Sequence, residues 1–422
     1  MLLQLPHRGP DVIVDLITEY LLLGLRFDRL ERGFVDAYTG DPTLRARVEG
    51  EASPRPGELR LRCRELLTEL DSSDLAHERI AFLRAQLTGL ECSARVMSGD
   101  PVGFVEEVAA YFDVRIGLGD EARYAAAHSE LHELLPGDGT LAQRYADYRL
   151  ADECPADRLH EVVHAFSSQL RDHVRAEYEL APTETVSYDV VTDQPWSGFN
   201  YYRGEFHSDV AINADLPHRL TQLPHLVAHE SYPGHHTEHC RKEASLVAGQ
   251  QHREHTVFLV NTPECLIAEG LADLGISVTV GQRWGAWAAE ILRDLGFSVD
   301  GELAERVSQA AAPLNDVRQD AAILLHDRGR GQEEVLDFLQ RWTLVSRERA
   351  QQSLRFLTHP LWRAYTSTYV EGHRLLSTWL DARPVGASIG ARFRRLLDEP
   401  LTPGRIVAET DSRPAADQDV RA

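Results

Sequence analysis

Lysine is almost missing from this chain. Of 44 basic residues, all but Lys242 are arginine, a bias that fits GC-rich coding better than any function. Basic residues are also outnumbered, since 66 Asp and Glu leave a formal net charge of −22. A uniformly acidic surface repels phosphate backbones and anionic lipid, so neither nucleic acid nor a membrane is an expected partner. Cysteine is scarce. Cys63, Cys92, Cys154, Cys240 and Cys265 are odd in number, widely spaced and without a CxxC pair. That argues against a disulfide framework or a cysteine-built zinc site and favours reduced thiols in a cytoplasm. The most apolar early run, around Tyr20 to Leu25, is far too short to span a bilayer. No basic stretch precedes an apolar one after Met1, so a secretory signal is not expected. No internal repeat stands out at solenoid periods.

What is present is enough apolar material, 43% of 422 residues, for a large core. Apolar residues recur at helical spacing from Asp11 to about Ala37, and again over roughly 57–72, 75–96, 101–113, 118–134, 140–151 and 156–178. Short Gly/Pro or polar breaks separate these stretches, which reads as an all-α scaffold with short connections. Between 184 and 214 the character changes. Val186–Val191, Phe199–Tyr202 and Asp209–Asn213 are β-type segments separated by Pro195, Gly198 and Gly204. Helical patterns resume near Pro217 and continue over about 236–247, 262–276, 280–295, 301–328, 331–343, 346–357 and 361–381. The last twenty or so residues read as a disordered tail.

The chemistry concentrates in His229-Glu230-Ser231-Tyr232-Pro233-Gly234-His235-His236. A zinc hydrolase needs imidazoles or carboxylates on the metal, an open position, and a carboxylate to take a proton from water. The usual HExxH helix places two His one turn apart with the Glu beside them. Here Pro233 stands where the second His should be. The segment reads as the same motif with two extra residues. Pro233 interrupts helical hydrogen bonding and Gly234 permits unusual dihedrals, so a bulge brings His235 to the second ligand position. In an unbroken helix His236 would share the face of His229, but about 10 Å further along the axis, so His236 stays as the competing ligand. His225, one turn before His229, reads as a packing or solvated histidine. Glu269 is the expected third ligand. Asp273 follows it by four residues on the same helical face, placed to bond a ligand histidine from behind.

With these motifs on the page, HESYPGHH resembles the HExxPGHH signature of the domain-of-unknown-function 885 family, whose members are similar to zinc carboxypeptidases. The resemblance runs along most of the chain, through Asp15–Tyr20, Gly33–Tyr38, Asn200–Gly204, Glu269-Gly270, Arg363–Tyr365 and Tyr369–Gly372. It implies a mainly α fold, a multi-helix clefted metallopeptidase-like (zincin) architecture with a small antiparallel β-sheet before the metal-binding helix. Residues 1–400 are then one helical catalytic domain (1–180 the N-terminal helical part, 181–400 the metal-site part), and 401–422 a disordered tail.

The expected roles are Zn²⁺ held by His229, His235 and Glu269, with Glu230 as general base. Tyr369, and after it Tyr365, is the candidate donor to the tetrahedral oxyanion. Arg363 and Arg355 are candidate anchors for a substrate carboxylate. The expected partner is a peptide or amide-containing small molecule, possession of a carboxypeptidase-like activity on short substrates being the leading reading. Two alternatives stay open: a zinc lyase or hydrolase acting on a small molecule in biosynthesis, and a non-catalytic binding protein. Weaker candidates are His326 with Asp327 in a cleft, the strand Asp209–Asn213 as an edge for extended peptide or a brace for the metal helix, and Cys240 or Cys265 as a nucleophile.

Overall fold

The computed structural model describes residues 15–194 and 196–412. In chain order the elements are α1 (Leu16–Leu30), β1 (Val35–Tyr38), α2 (Pro42–Gly50), α3 (Pro56–Leu70), α4 (His77–Met97), α5 (Phe104–Phe112), α6 (Glu121–Leu134), α7 (Leu141–Ala151), α8 (Leu159–Tyr178), β2 (Thr185–Val191), β3 (Gly198–Gly204) and β4 (His207–Asn213). There follow α9 (Leu223–Glu230), α10 (His235–Lys242), β5 (Val257–Leu259), α11 (Pro263–Thr279), α12 (Trp284–Asp294), α13 (Gly301–Ala311), α14 (Asp316–His326), α15 (Gln332–Thr343), α16 (Arg347–Thr358), α17 (Thr366–Asp381), α18 (Ile389–Asp398) and α19 (Pro403–Asp411). The architecture is mainly helical, as the apolar periodicity implies.

The first helical pattern ends sooner than its spacing suggests; its expected start, 11–14, lies outside the described residues. Asp15 caps α1 by accepting from the Thr18 amide. After Leu30 the chain turns through Gly33 at φ +90, a conformation glycine adopts without strain. Asp28 Oδ1 accepts from the amides of Gly33 and Val35. Residues 35–38 therefore become a strand, paired antiparallel with β5, instead of a last helical turn. The pattern over 301–328 also divides. Pro313, which has no N–H to donate, sits in a 3₁₀ turn between α13 and α14.

The expected small sheet lies before the helix of His229. Strands β3 and β4 are antiparallel, and β2 adds to the other side of β4 in parallel. Strand β4 is thus central and hydrogen-bonded on both sides, which removes Asp209–Asn213 as a free edge for a peptide. It serves as a brace instead. At the other end of the chain, 403–411 is the packed helix α19 and not a tail. Ile406 is buried and Trp379 Nε1 donates to Glu409 at 3.1 Å. Residues 413–422 of the expected tail, like Pro195, lie outside the described residues.

Helix α11 is the central element. It packs on α17 and α9, and from Pro263 to Ala272 every residue is buried. A helix buried on all faces belongs in a core. The two acids within that stretch, Glu264 and Glu269, are therefore buried carboxylates that require partners. The largest apolar core surrounds α11 through α5, α8, α9, α14 and α17. A second core joins α1, α3, α4 and β5. Among the described residues no helix is long and apolar enough to cross a membrane.

Candidate metal centre

Helix α9 stops at Glu230 because Ser231 leaves helical dihedrals (φ −129, ψ −79). Tyr232-Pro233-Gly234 then loops out. The Gly234 amide reaches back to the Ala228 carbonyl at 2.8 Å, and the Thr237 amide and hydroxyl both donate to the Ser231 carbonyl, at 3.1 and 2.9 Å. Position 234 must be glycine, since a Cβ there would fall 1.9 Å from the His229 carbonyl oxygen. Pro233 is received by Gly275 of α11, where a Cβ would lie 3.0 Å from its ring. Helix α10 restarts at His235, and the bulge brings the His235 ring within 4.7 Å of the His229 ring, at 89° to it.

Ligand atoms of His229, His235 and Glu269 all lie within 4.8 Å of one another. His229 Nε2 is 3.4 Å from Glu269 Oε2, and His235 Nε2 is 3.5 Å from Glu269 Oε1. The other nitrogen of His229, Nδ1, meets Asp273 Oδ1 at 3.0 Å. Glu269 Oε2 is buried with no hydrogen-bond partner among the described residues, an orphaned acceptor that a bound cation would satisfy. Two imidazoles and a carboxylate are a donor set suited to zinc. The electrostatics agree with the geometry. Burial alone would raise the Glu269 pKa, yet the two imidazoles hold it well below the usual carboxylate range. Burial would lower the imidazoles, but Glu269 and Glu238 raise His235 to about 10, and Asp273 and Glu269 raise His229. The carboxylates demand positive charge between them, and protons supply it when nothing else does.

His236 faces the opposite way. It is fully buried, with Nδ1 2.9 Å from Ser208 Oγ and Nε2 3.0 Å from Glu184 Oε2. Glu184 also accepts from Tyr232 at 2.7 Å and Arg171 at 2.7 Å, with Arg175 at 3.1 Å. This network anchors the bulge to the sheet. Burial would raise the Glu184 pKa, but His236, Tyr232 and Arg171 bring it down to about 2 from 4.5. A depressed carboxylate stabilises the fold above its unfolded pKa and loses that contribution as pH falls through its folded value. Glu184→Gln is therefore expected to cost about 3 kcal/mol at pH 7. Its deficit against wild type should shrink between about pH 4.5 and 2 in denaturant titrations. A deficit constant across that range would contradict this assignment.

Glu230 is buried beside the histidines, and its carboxylate has no hydrogen-bond partner among the described residues. Its backbone carbonyl accepts from Asn200 Nδ2 at 2.7 Å, and Gly198 makes room for it, since a Cβ there would lie 3.2 Å from Glu230 Oε1. Burial raises its pKa, with the two imidazoles opposing. Tyr365 donates to Glu269 Oε1 at 2.7 Å, so its hydroxyl serves the carboxylate. Tyr369 stands 6.3 Å from the His229 ring and keeps 40% of its surface exposed.

The two sequence-predicted arginines do not reach this cluster. Arg363 is bound by the buried Glu107 through both carboxylate oxygens. Arg355 is exposed on α16, a helix that packs mainly on α15. His326 Nε2 bonds the Leu357 carbonyl at 2.7 Å and Asp327 caps α5 through the amides of Phe104 and Val105; both are structural. His225 is a packed histidine on the Trp284 ring, pushed down to about 4 by burial. Burial pushes the thiols of Cys240 and Cys265 up, which leaves no thiolate nucleophile.

Three residues near the cluster escaped the sequence reading. Asp36 on β1 is coupled to His235, Glu269 and Glu230, and burial pushes its carboxyl up to about 7. It was hidden inside a stretch read as helix. Arg318 on α14 is exposed and has no ion-pair or hydrogen-bond partner among the described residues. Yet burial lowers its guanidinium pKa while Tyr369 opposes. Its charge is thus felt by Tyr369, the tyrosine beside the His229 ring. Glu238, on α10, approaches His235 from behind. A second group, His252, Glu254 and His255, also has ligand atoms within 4.8 Å, but Arg79 holds Glu254 through two bonds of 2.7 Å and repels a cation there.

This fold is not confined to one chain. A candidate lipoprotein of unknown function from Shewanella oneidensis superposes with a TM-score of 0.50 at 12% identity, covering 94% of this chain and 82% of that one. A candidate lipoprotein from Colwellia psychrerythraea gives 0.49 at 13% identity, over 86% and 68%. An M32 carboxypeptidase from Deinococcus radiodurans R1 gives 0.39 at 13% identity, over 94% of each. At 12% identity the likeness to the Shewanella protein is one of fold alone. No protein-family model and no curated protein matches the sequence.

Proposed function

We propose that this chain is a zinc-dependent hydrolase of peptide or amide bonds acting on short, carboxylate-bearing substrates, and a member of the domain-of-unknown-function 885 family. One observation carries the reading: His229, His235 and Glu269 converge within 4.8 Å with the buried Glu230 beside them, its carboxylate without a hydrogen-bond partner among the described residues. A purely structural zinc site closes with four protein ligands and has no use for a free carboxylate. The HExxPGHH motif and the Glu269-Gly270 and Tyr369 segments support the family assignment.

Zinc, when bound by His229, His235 and Glu269, supplies Lewis acidity toward the scissile carbonyl. Glu230 takes a proton from the attacking water and delivers it to the leaving amine. The Tyr369 hydroxyl donates to the oxyanion, a task for which Tyr365 is less free. Asp273 holds the His229 ring through Nδ1. Arg318 replaces Arg363 and Arg355 as the anchor of the substrate carboxylate, being an arginine near Tyr369 without an ion-pair partner among the described residues.

The test is hydrolysis of unblocked di- and tripeptides and N-acyl amino acids by zinc-supplemented protein, abolished by chelator and restored by zinc. Absence of any hydrolysis across that panel by zinc-loaded protein would remove the reading. Arg318→Met is expected to raise KM for carboxylate-terminated substrates by about 10–100-fold, the worth of one charge-assisted contact. The same substitution should leave the C-terminally amidated analogues nearly unaffected. Equal losses on both would show that Arg318 does not contact the carboxylate.

A further inference from the structure

The one lysine of the chain is not on the surface. Lys242 ends α10, two turns after His235, and is only 8% exposed. Its Nζ lies 2.6 Å from Glu238 Oε1 and 2.7 Å from Glu264 Oε1. Glu264, from α11, is completed by Gln86 Nε2 at 3.0 Å and approached by His255 Nδ1 at 3.5 Å. Glu238 Oε2 in turn lies 3.9 Å from His235 Nδ1, ion-pair distance but beyond a direct hydrogen bond. Glu238 and Glu264 are both buried, so the network places two carboxylates and one ammonium out of water. Such an arrangement is costly unless something further offsets the excess negative charge. The group that Glu238 faces is His235.

The two histidines thereby have matching surroundings. Each presents Nε2 to Glu269, and each has a carboxylate behind Nδ1, Asp273 for His229 and Glu238 for His235. The difference lies in what holds that carboxylate. Asp273 is part-exposed on α11, whereas Glu238 is buried and needs an internal cation. Arginine supplies the positive charge everywhere else in this chain. Between two carboxylates at 2.6 and 2.7 Å a compact ammonium fits, and a planar guanidinium would push them apart.

We propose that Lys242 is a positioning residue for the metal centre: it fixes Glu238 behind His235 Nδ1 and so aims His235 Nε2 at the site formed with His229 and Glu269. The inference rests on reading those three residues as a zinc site. Loss of such outer partners weakens metal binding by about 10–100-fold.

The test is zinc affinity of chelator-stripped full-length protein, measured by competition with a chromophoric chelator, for wild type, Lys242→Met, Lys242→Arg and Glu238→Gln. Each variant should weaken zinc by about 10–100-fold. Lys242→Met combined with Glu238→Gln should be no worse than either alone, because the pair acts as a unit. Unchanged affinity in a folded Lys242→Met protein would overturn the inference while leaving the zinc site intact. Absence of zinc binding by wild type would overturn both. Should the Lys242 variants fail to fold, the wild type still decides. Labelled with ¹⁵N-lysine, it has a single ε-ammonium resonance, which zinc must shift in wild type but not in His235→Ala. A resonance indifferent to zinc that binds normally would refute the link.

Discussion

Glu230→Gln is expected to lower amide hydrolysis by about 10²–10⁴-fold while the protein keeps its full complement of zinc. The substitution preserves the shape of a side chain for which Gly198 leaves room, on a backbone whose carbonyl Asn200 holds, and it removes only the ability to accept a proton. Because the Glu230 carboxylate has no hydrogen-bond partner among the described residues, little stability should be lost with it. Hydrolysis assays and elemental analysis on the same preparations check the prediction. Retained activity would remove Glu230 as the base. Loss of metal along with activity would make it a ligand instead.

A second large effect is expected at Gly270. A Cβ at this position would lie 2.5 Å from the carbonyl carbon of Gly372, and one at Gly372 would lie 2.5 Å from the Leu266 carbonyl oxygen. Helices α11 and α17 therefore meet backbone to backbone, and neither side has a flexible group that could yield. Gly270→Ala should cost about 1–3 kcal/mol or more through overpacking. It should also weaken zinc binding, because it separates the helix of Glu269 from the helix of Tyr369. Gly57→Ala is the control. No atom lies within 4 Å of the added carbon there, so stability should stay the same or rise slightly. Equal thermal midpoints for Gly270→Ala and wild type would contradict the close approach.

What the sequence discloses and what it hides divide along physical lines. Helical periodicity is local, so most helices are legible, as are the breaks at Gly and Pro. The bulge at Pro233-Gly234 is legible too, because both residues disrupt a helix in known ways, and it accounts for His235 joining His229 while His236 turns toward Glu184. Asp273 is found by a four-residue spacing. Arg363 is misread because its partner Glu107 lies 256 residues away, and no local pattern announces a long-range ion pair. Arg318 is invisible for the converse reason: its interest lies in lacking an ion-pair partner among the described residues. Asp36 is lost with the mistaken extension of α1, and the role of Lys242 depends on Glu264 arriving from another helix. The segment 403–411 looked like tail by composition, yet Ile406 and Glu409 find partners that composition cannot show.

The central claim, that His229, His235 and Glu269 hold one zinc ion, is tested most directly by elemental mass spectrometry of purified protein. Wild type, His229→Ala, His235→Ala, Glu269→Ala and His236→Gln should be compared after equal zinc supplementation. The account predicts about one zinc per chain in wild type, loss of metal in the first three variants, and retention in folded His236→Gln, because that ring faces Glu184. Wild type without zinc, or zinc retained in His235→Ala and lost in His236→Gln, would contradict it.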